Sequence, residues 1–528
     1  MMKNKNKELE TEGIVWNLTD LYPNDAALEA DVDWCRAMAT ELNALWRGRM
    51  VGLNGVELFT LVSGLEHLDS RLARLEAYAF LHFCTQTDDA EAGALHQRIS
   101  ELCSECEAAT VFFRLEWNAL SDAQANSLLA AERVAPYRHY LTSMRRYAPH
   151  QLSESEETIL LERQPVGRAS WNTLFEKIFS QMRFGQSGRS EEEVLADLHQ
   201  ADRAVRQKAA AEMTAALAAN SHILTHIFNT LAADKMLDDK KRRYSGWLSA
   251  MNLDNQVDDA VVETMLAAIT SRYDVVMRYY HWKKKVLAYD QLFDYDRYAP
   301  LQGRETATIP WPQCRETVLR AFADFSPQLH EIAKRFFTDG WIHAPLRVGK
   351  RGGAFAHPVT PDAHPYLLVN YTGAWRDVET VAHEMGHGIH QVLAAGQGFY
   401  GSDAPLTLAE TASVFAELLL FNYRLRSLDD PAAKNACVAA KLESIFATVF
   451  RQTAMNRFEA RMHESRRDMG ELSADDFSRH WLTTQREMFG DAVTLTDDYG
   501  YWWSYIPHFL ATPGYVYLFS SVRSYSDS

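Results

Sequence analysis

The sequence predicts a mostly α-helical protein with one small β-sheet. Three observations point there. Apolar residues recur three and four apart through long stretches rich in Ala, Leu, Glu and Arg, as in Leu65–Phe83 and Ala460–Leu472. Strand-like runs are scarce, and no repeat of fixed period suggests a solenoid. At 528 residues, 47% of them hydrophobic, the chain exceeds one ordinary domain and can bury a large core.

From the N-terminus, MMKNKNKELETEG is basic and then acidic with no apolar core, unlike a secretory signal. No apolar run is long enough to span a bilayer; ASVFAELLLFNYRL carries Glu417 and Arg424. Six cysteines are too sparse for a disulfide framework, so a cytoplasmic location is expected. Cys103 and Cys106 have CxxC spacing but no second pair, and read as ordinary thiols on a helix. A charged stretch, GRSEEEVLADLHQADRAVR, precedes a new helical series; it places a boundary near residue 190, with a helical domain over 1–190 and a catalytic domain over 191–528.

The net charge of −16 argues against nucleic-acid or anionic-membrane partners. The one basic run, Lys240–Arg243, reads as a solvated helix end. His222 and His226 are four apart but lack an adjacent Glu and read as structural. Further on, GRETATIPW near residue 305 is strand-like, and Gly352–Phe355 marks a turn before the main strand. That strand, HPYLLVNYTG (His364–Gly373), is opened by Pro365 and closed by Gly373, and could pair an extended peptide along a sheet edge.

The strongest chemical signal follows, His383-Glu384-Met385-Gly386-His387. Positions i and i+4 share one helix face, so both imidazoles can reach one ion, while Glu384 can address a water rather than the metal. Asp377 and Glu379 suit the start of that helix. These five residues alone are suggestive. A catalytic zinc takes three protein ligands and keeps one position open. His390 lies on the same rigid helix, which is poor tetrahedral geometry, and HExxHxxGxxH fails because residue 390 is His and residue 393 is Leu.

The better third ligand is Glu410, which follows His387 after 22 intervening residues that include a loop carrying Gly396, Gly398, Gly401 and Pro405. Glu410 and Glu417 are acids on one face of an otherwise apolar helix, and buried carboxylates need a partner charge or metal. Glu417 then suits an acceptor for a ligand imidazole N–H. Acids so spaced also occur on the exposed face of an amphipathic helix. The aromatic run YGYWWSYIPHF supplies Tyr and His donors for an oxyanion, and equally reads as a packed domain edge.

HEMGHGIHQ followed by AETASVFAE resembles the M3 family of zinc oligopeptidases, and more closely its oligoendopeptidase F branch. WNLTDLYP (Trp16–Pro23), RRYAPHQLSESEE (Arg145–Glu157), GAFAHPVTPDAHPYLLVNYTG (Gly353–Gly373) and IPHFLATPGYVY (Ile506–Tyr517) extend the resemblance along nearly the whole chain. It implies a bilobal, zincin-type (gluzincin) fold with a deep substrate channel. It also implies a zinc metalloendopeptidase for short unstructured oligopeptides, with one Zn2+ per chain on His383, His387 and Glu410, and with Glu384 as general base. His508, Tyr515 and Tyr517 match the segment that contacts substrate and stabilises the oxyanion. The sequence departs from the family after Tyr517, where LFSSVRSYSDS is polar and serine-rich. From that departure, intact metal binding with weakened activity is expected, the alternative being a catalytically weakened peptide-binding relative.

Overall fold

A computed structural model describes residues 2–301 and 308–517. Its helices include α1 (Asp25–Trp46), α2 (Gly55–Thr85), α3 (Ala90–Ala119), α4 (Arg203–Ala219), α5 (Ser221–Arg242), α6 (Trp311–Ala323) and α7 (Pro327–Thr338). Three short strands follow, β1 (Ile342–His343), β2 (Phe355–His357) and β3 (Tyr366–Leu368). After them come α8 (Trp375–Ala394), α9 (Leu406–Ser427), α10 (Gln452–Met469) and α11 (Ala474–Phe489).

Local signals explain these helices. On α2, Leu58, Leu61, Val62, Leu65, Leu68, Leu72 and Leu75 form one buried stripe at helical spacing, and Asn54 and Glu57 close a capping box at its start. Ser473 and Asp476 do the same for α11. The basic run at 240–243 ends α5. Cys103 and Cys106 lie on α3, and all six cysteines are free thiols. His226 packs its ring against Trp171, 5.6 Å between centroids.

The chain divides into two compact units, each built from two separate stretches: Met1–Arg163 with Thr306–Arg424, and Gln164–Glu305 with Leu425–Ser528. Compact packing therefore joins stretches that are distant along the chain. The reason is long-range burial. In the first unit, Leu9 shares a core with Trp311, Val378 and Leu420, while α1–α3 pack a second core that takes in Tyr366 and Leu368. In the second unit, Phe228 and Leu231 of α5 bury against Phe458, Phe477 and Trp503. Tyr280, Phe446 and Phe489 sit in a further cluster of that unit.

The sheet belongs to the first unit and has the order β1-β3-β2. β3 runs parallel to β1, with Ile342 opposite Leu367, and antiparallel to β2, with Ala356 opposite Leu367. Of the expected strand at 364–373, Tyr366–Leu368 forms β3, and Val369 N and Tyr371 N continue the pairing by donating to His343 O at 3.0 Å and Ala344 O at 3.2 Å; β1 precedes the turn at Gly352–Phe355. Strands of two or three residues are too short to show a period of two. Of the second expected strand, residues 303–307 lie outside the described residues, and Trp311 already begins α6.

Candidate metal centre

α8 and α9 pair side by side in opposite directions. At one end Arg424 of α9 lies over the Trp375 ring of α8, 3.8 Å from its centroid. The start of α8 is fixed by Asp377, whose Oδ2 accepts from Thr372 N at 2.7 Å, Thr372 Oγ1 at 2.7 Å and Ala374 N at 3.1 Å. Val378, Val381, Ala382, Met385 and Ile389 bury one face of α8.

Gly386 sets the separation of the two helices. A Cβ there would lie 2.5 Å from Ala412 O, 2.8 Å from Ser413 Cα and 2.9 Å from Ala416 Cβ. Any larger residue would push α9 away. Gly388 does likewise toward α7, where a Cβ would meet Phe336 Cζ at 2.6 Å.

This close approach brings His383, His387 and Glu410 together, with ligand atoms all within 4.8 Å of one another. Glu410 Oε2 lies 3.7 Å from His383 Nε2 and 3.6 Å from His387 Nε2. Tetrahedral zinc with bonds of about 2.0–2.1 Å separates its ligand atoms by roughly 3.3 Å, so the set fits one such ion after small adjustments. The imidazole planes stand at 81° to each other, 5.0 Å between centroids. Glu410 is buried, and its Oε2 also accepts from Ser413 Oγ at 2.9 Å. His390, on the same helix, is outside this group.

Glu417, two turns along α9, lies with Oε1 2.8 Å from His383 Nδ1. A proton held on Nδ1 leaves the Nε2 lone pair for a metal. Burial alone would depress the His383 pKa. The hydrogen bond to Glu417 and the charges of Glu384, Glu417 and Glu410 outweigh it and raise the imidazole to about 9 in the metal-free protein. His387 goes the other way, to about 3, through burial and the neighbouring His383 and His390, so its ring is neutral and able to ligate. Burial pushes the Glu384 carboxyl up to about 7. The His383 charge and a hydrogen bond from the Ala356 backbone oppose that rise, while Glu410 and Glu417 add to it.

The sheet flanks these residues. β3 lies between β1 and β2, so the stretch at 364–373 is central and offers no edge for a peptide. The edge on the Glu384 side is β2. Its Ala356 meets α8 through the bond to Glu384 and through a 3.4 Å contact from Gln391 Nε2 to its carbonyl. The sequence did not single out Ala356; its signal was the FAH triplet just beyond the Gly352-Gly353 turn.

His508, Tyr515 and Tyr517 belong to the second unit. The His508 and Tyr515 rings stack, 5.1 Å apart at 7°, with His508 exposed and Tyr515 half-buried. Tyr517 is fully buried. A turn at Gly514, φ +88°, is tied to α10 by its N–H, which donates to Glu459 Oε1 at 2.7 Å. Residues 518–528, the polar tail, lie outside the described residues.

Comparisons with known proteins agree with this picture. The chain matches Peptidase family M3 over residues 197–526 and Oligopeptidase F over residues 116–184. It is 24% identical to the oligopeptidase PepF of Bacillus subtilis over 518 residues, covering 96% of this chain and 76% of that protein. The crystal structure of a Chlamydophila abortus protein superposes with a TM-score of 0.78 at 25% identity, covering 96% of this chain and 87% of the other. The oligoendopeptidase F of Enterococcus faecium shares the fold, with a TM-score of 0.70 at 21% identity over 95% of this chain and 85% of the other. The chain belongs to peptidase family M3, in its oligopeptidase F branch, and is a metallo-oligopeptidase.

Proposed function

We propose that the chain is a zinc endopeptidase that cuts short, unstructured oligopeptides, with zinc on His383, His387 and Glu410. The observation that carries this reading is the convergence of those three ligand atoms, backed by the hydrogen bond that His383 Nδ1 donates to Glu417. Two imidazoles and one carboxylate are the donor set of a hydrolytic zinc site, leaving one position open. Zinc bound there would supply a Lewis acid and lower the pKa of a water to about 7.

The residues around it have separate tasks. Glu384 is buried beside the ligands, and a carboxyl whose pKa lies near 7 can take a proton from the attacking water and return it to the leaving amine. β2 is the edge strand beside Glu384, and we assign to it, instead of 364–373, the pairing with an extended peptide backbone. His508 and Tyr515 are proposed as donors to the developing oxyanion. Tyr517, fully buried, is assigned to packing. The intact donor set and the family membership do not favour a weakened peptide-binding relative. Oligopeptide substrates are supported by the relatives' names, oligopeptidase and oligoendopeptidase F. Among the described residues no helix is long and apolar enough to cross a membrane.

The test is Glu384→Gln. It should retain one zinc per chain by metal analysis while peptide hydrolysis falls by at least about a hundredfold. Loss of metal from this variant would show that Glu384 serves the ligand set rather than proton transfer.

A further inference from the structure

We propose that Arg297, Arg451 and Tyr505 of the second unit form a binding site for a carboxylate group. Arg451 closes a π-helical turn, Phe446–Arg451, that leads into α10. Such turns are rare and concentrate where a side chain must be aimed against the regular helical pitch. The Arg451 Nη1 donates to the Tyr298 hydroxyl and its Nη2 to the Tyr505 hydroxyl, both at 3.3 Å. Its Nε is buried and has no hydrogen-bond partner among the described residues.

Arg297 is buried beside it. Its Nε donates to Asp294 O at 2.8 Å and its Nη2 reaches the same Tyr298 hydroxyl at 3.5 Å. The rings of Tyr298, Tyr499 and Phe489 lie 4.9–5.2 Å from its guanidinium carbon. Two guanidinium groups thus share one neutral acceptor, and among the described residues neither has a carboxylate at ion-pair distance. The Asp294 carboxylate is turned to Thr496, from whose N and Oγ1 it accepts at 3.1 and 3.0 Å.

Other buried cations of this unit are satisfied differently. Arg206 meets Asp296 at 2.8 Å, and Lys235 meets Asp239 at 2.9 Å. The buried Arg297 charge without a counter-charge is costly, and the half-buried Arg451 beside it adds like-charge repulsion. Neutral hydroxyls at 3.3–3.5 Å are long, weak partners for charged donors. What the pair lacks is a planar anion with several acceptor lone pairs, which matches the guanidinium fork. The Tyr505 hydroxyl accepts from Arg451 and keeps its own proton to give. A carboxylate satisfies all three groups. It could be the C-terminus of a peptide or a small free acid, and the two are separable by experiment.

Two measurements on the full chain test the site, both of binding and neither of catalysis. In the first, thermal melting is followed against acetate at constant ionic strength. In the second, fluorescent peptides that differ only in a C-terminal carboxylate or amide are titrated by polarisation. Wild type should show a saturable rise in melting temperature with acetate, absent in Arg451→Gln and reduced in Tyr505→Phe. A peptide acid binding about tenfold or more tighter than its amide, with the difference erased in Arg451→Gln, identifies the peptide C-terminus as the ligand. Equal binding of acid and amide alongside saturable acetate binding identifies a free carboxylate. If acetate gives no saturable effect and acid and amide bind alike, the proposal is overturned. It is also overturned if either effect persists in Arg451→Gln while Tyr505→Phe is unchanged from wild type. A failure of the zinc-peptidase reading would appear as absent hydrolysis and would move neither readout.

Discussion

Replacing Gly386 by Ala tests whether helix separation sets the metal centre. Alanine improves helix propensity by about 1 kcal/mol relative to glycine, so on propensity alone the variant gains stability. The structure opposes that gain. The new methyl would sit 2.5 Å from the Ala412 carbonyl oxygen and 2.8 Å from Ser413 Cα, both backbone atoms that cannot rotate away. Restoring van der Waals contact requires α9 to withdraw by roughly 0.7–1 Å at the crossing, and such overpacking costs about 1–3 kcal/mol. Overpacking therefore offsets or exceeds the propensity gain. Glu410 travels with α9, and its Oε2 is already 3.6 and 3.7 Å from the two imidazole nitrogens. Metal–ligand distances tolerate about 0.2 Å, so zinc affinity should fall on the order of 10–100-fold. The assay is competition for zinc against a chromophoric chelator, beside thermal melting of the metal-free protein. Gly396→Ala is the control, because a Cβ there meets nothing within 4 Å among the described residues. Wild-type zinc affinity in Gly386→Ala would refute the reasoning.

Glu417→Ala removes the acceptor of the His383 Nδ1 proton and should weaken zinc binding about 10–100-fold with little change in the metal-free melting temperature; unchanged affinity would deny Glu417 its orienting role. Glu459, fully buried, has its carboxyl pushed up to about 8, mainly by burial, while the Gly514 N–H and Lys235 pull the other way. Between an unfolded value near 4.5 and a folded value near 8, the native state holds a proton that the unfolded chain has released, so stability should fall as pH rises through that window. Melting curves across it should show the decline in wild type and a flatter profile in Glu459→Gln; parallel profiles would remove Glu459 as the cause. Asp377→Ala loses three hydrogen bonds at the start of α8 and should cost about 1–2 kcal/mol in denaturant unfolding of the metal-free protein; a smaller loss would mean that packing alone fixes this helix end.

Much of the metal centre was legible because its information is local. The i, i+4 spacing of His383 and His387 acts within one helix, and two acids in the apolar run at 406–427 signal buried charge that needs a partner. The role of Gly386 was not legible, since a glycine between ligands looks like any helix glycine until the neighbour at 412–416 is in place. The edge strand was misplaced for a similar reason. HPYLLVNYTG has the stronger β-forming residues, yet sheet order depends on which segments flank it, and β1 and β2 carry almost no pattern of their own. A boundary near residue 190 follows composition along the chain, whereas burial joins Leu9 to Trp311 and Phe228 to Trp503 across hundreds of residues.

By itself the sequence determined the helical class and the residues able to hold a metal. Hydrophobic period and donor type are properties of neighbouring positions, and a rigid helix converts spacing directly into geometry. The tertiary structure alone decided how near α9 comes to α8, which strand forms the sheet edge, and that Arg297 and Arg451 stand together with no carboxylate at ion-pair distance among the described residues. Those facts depend on contacts between segments far apart in the chain, where the closeness of packing rather than residue type sets distance and charge balance.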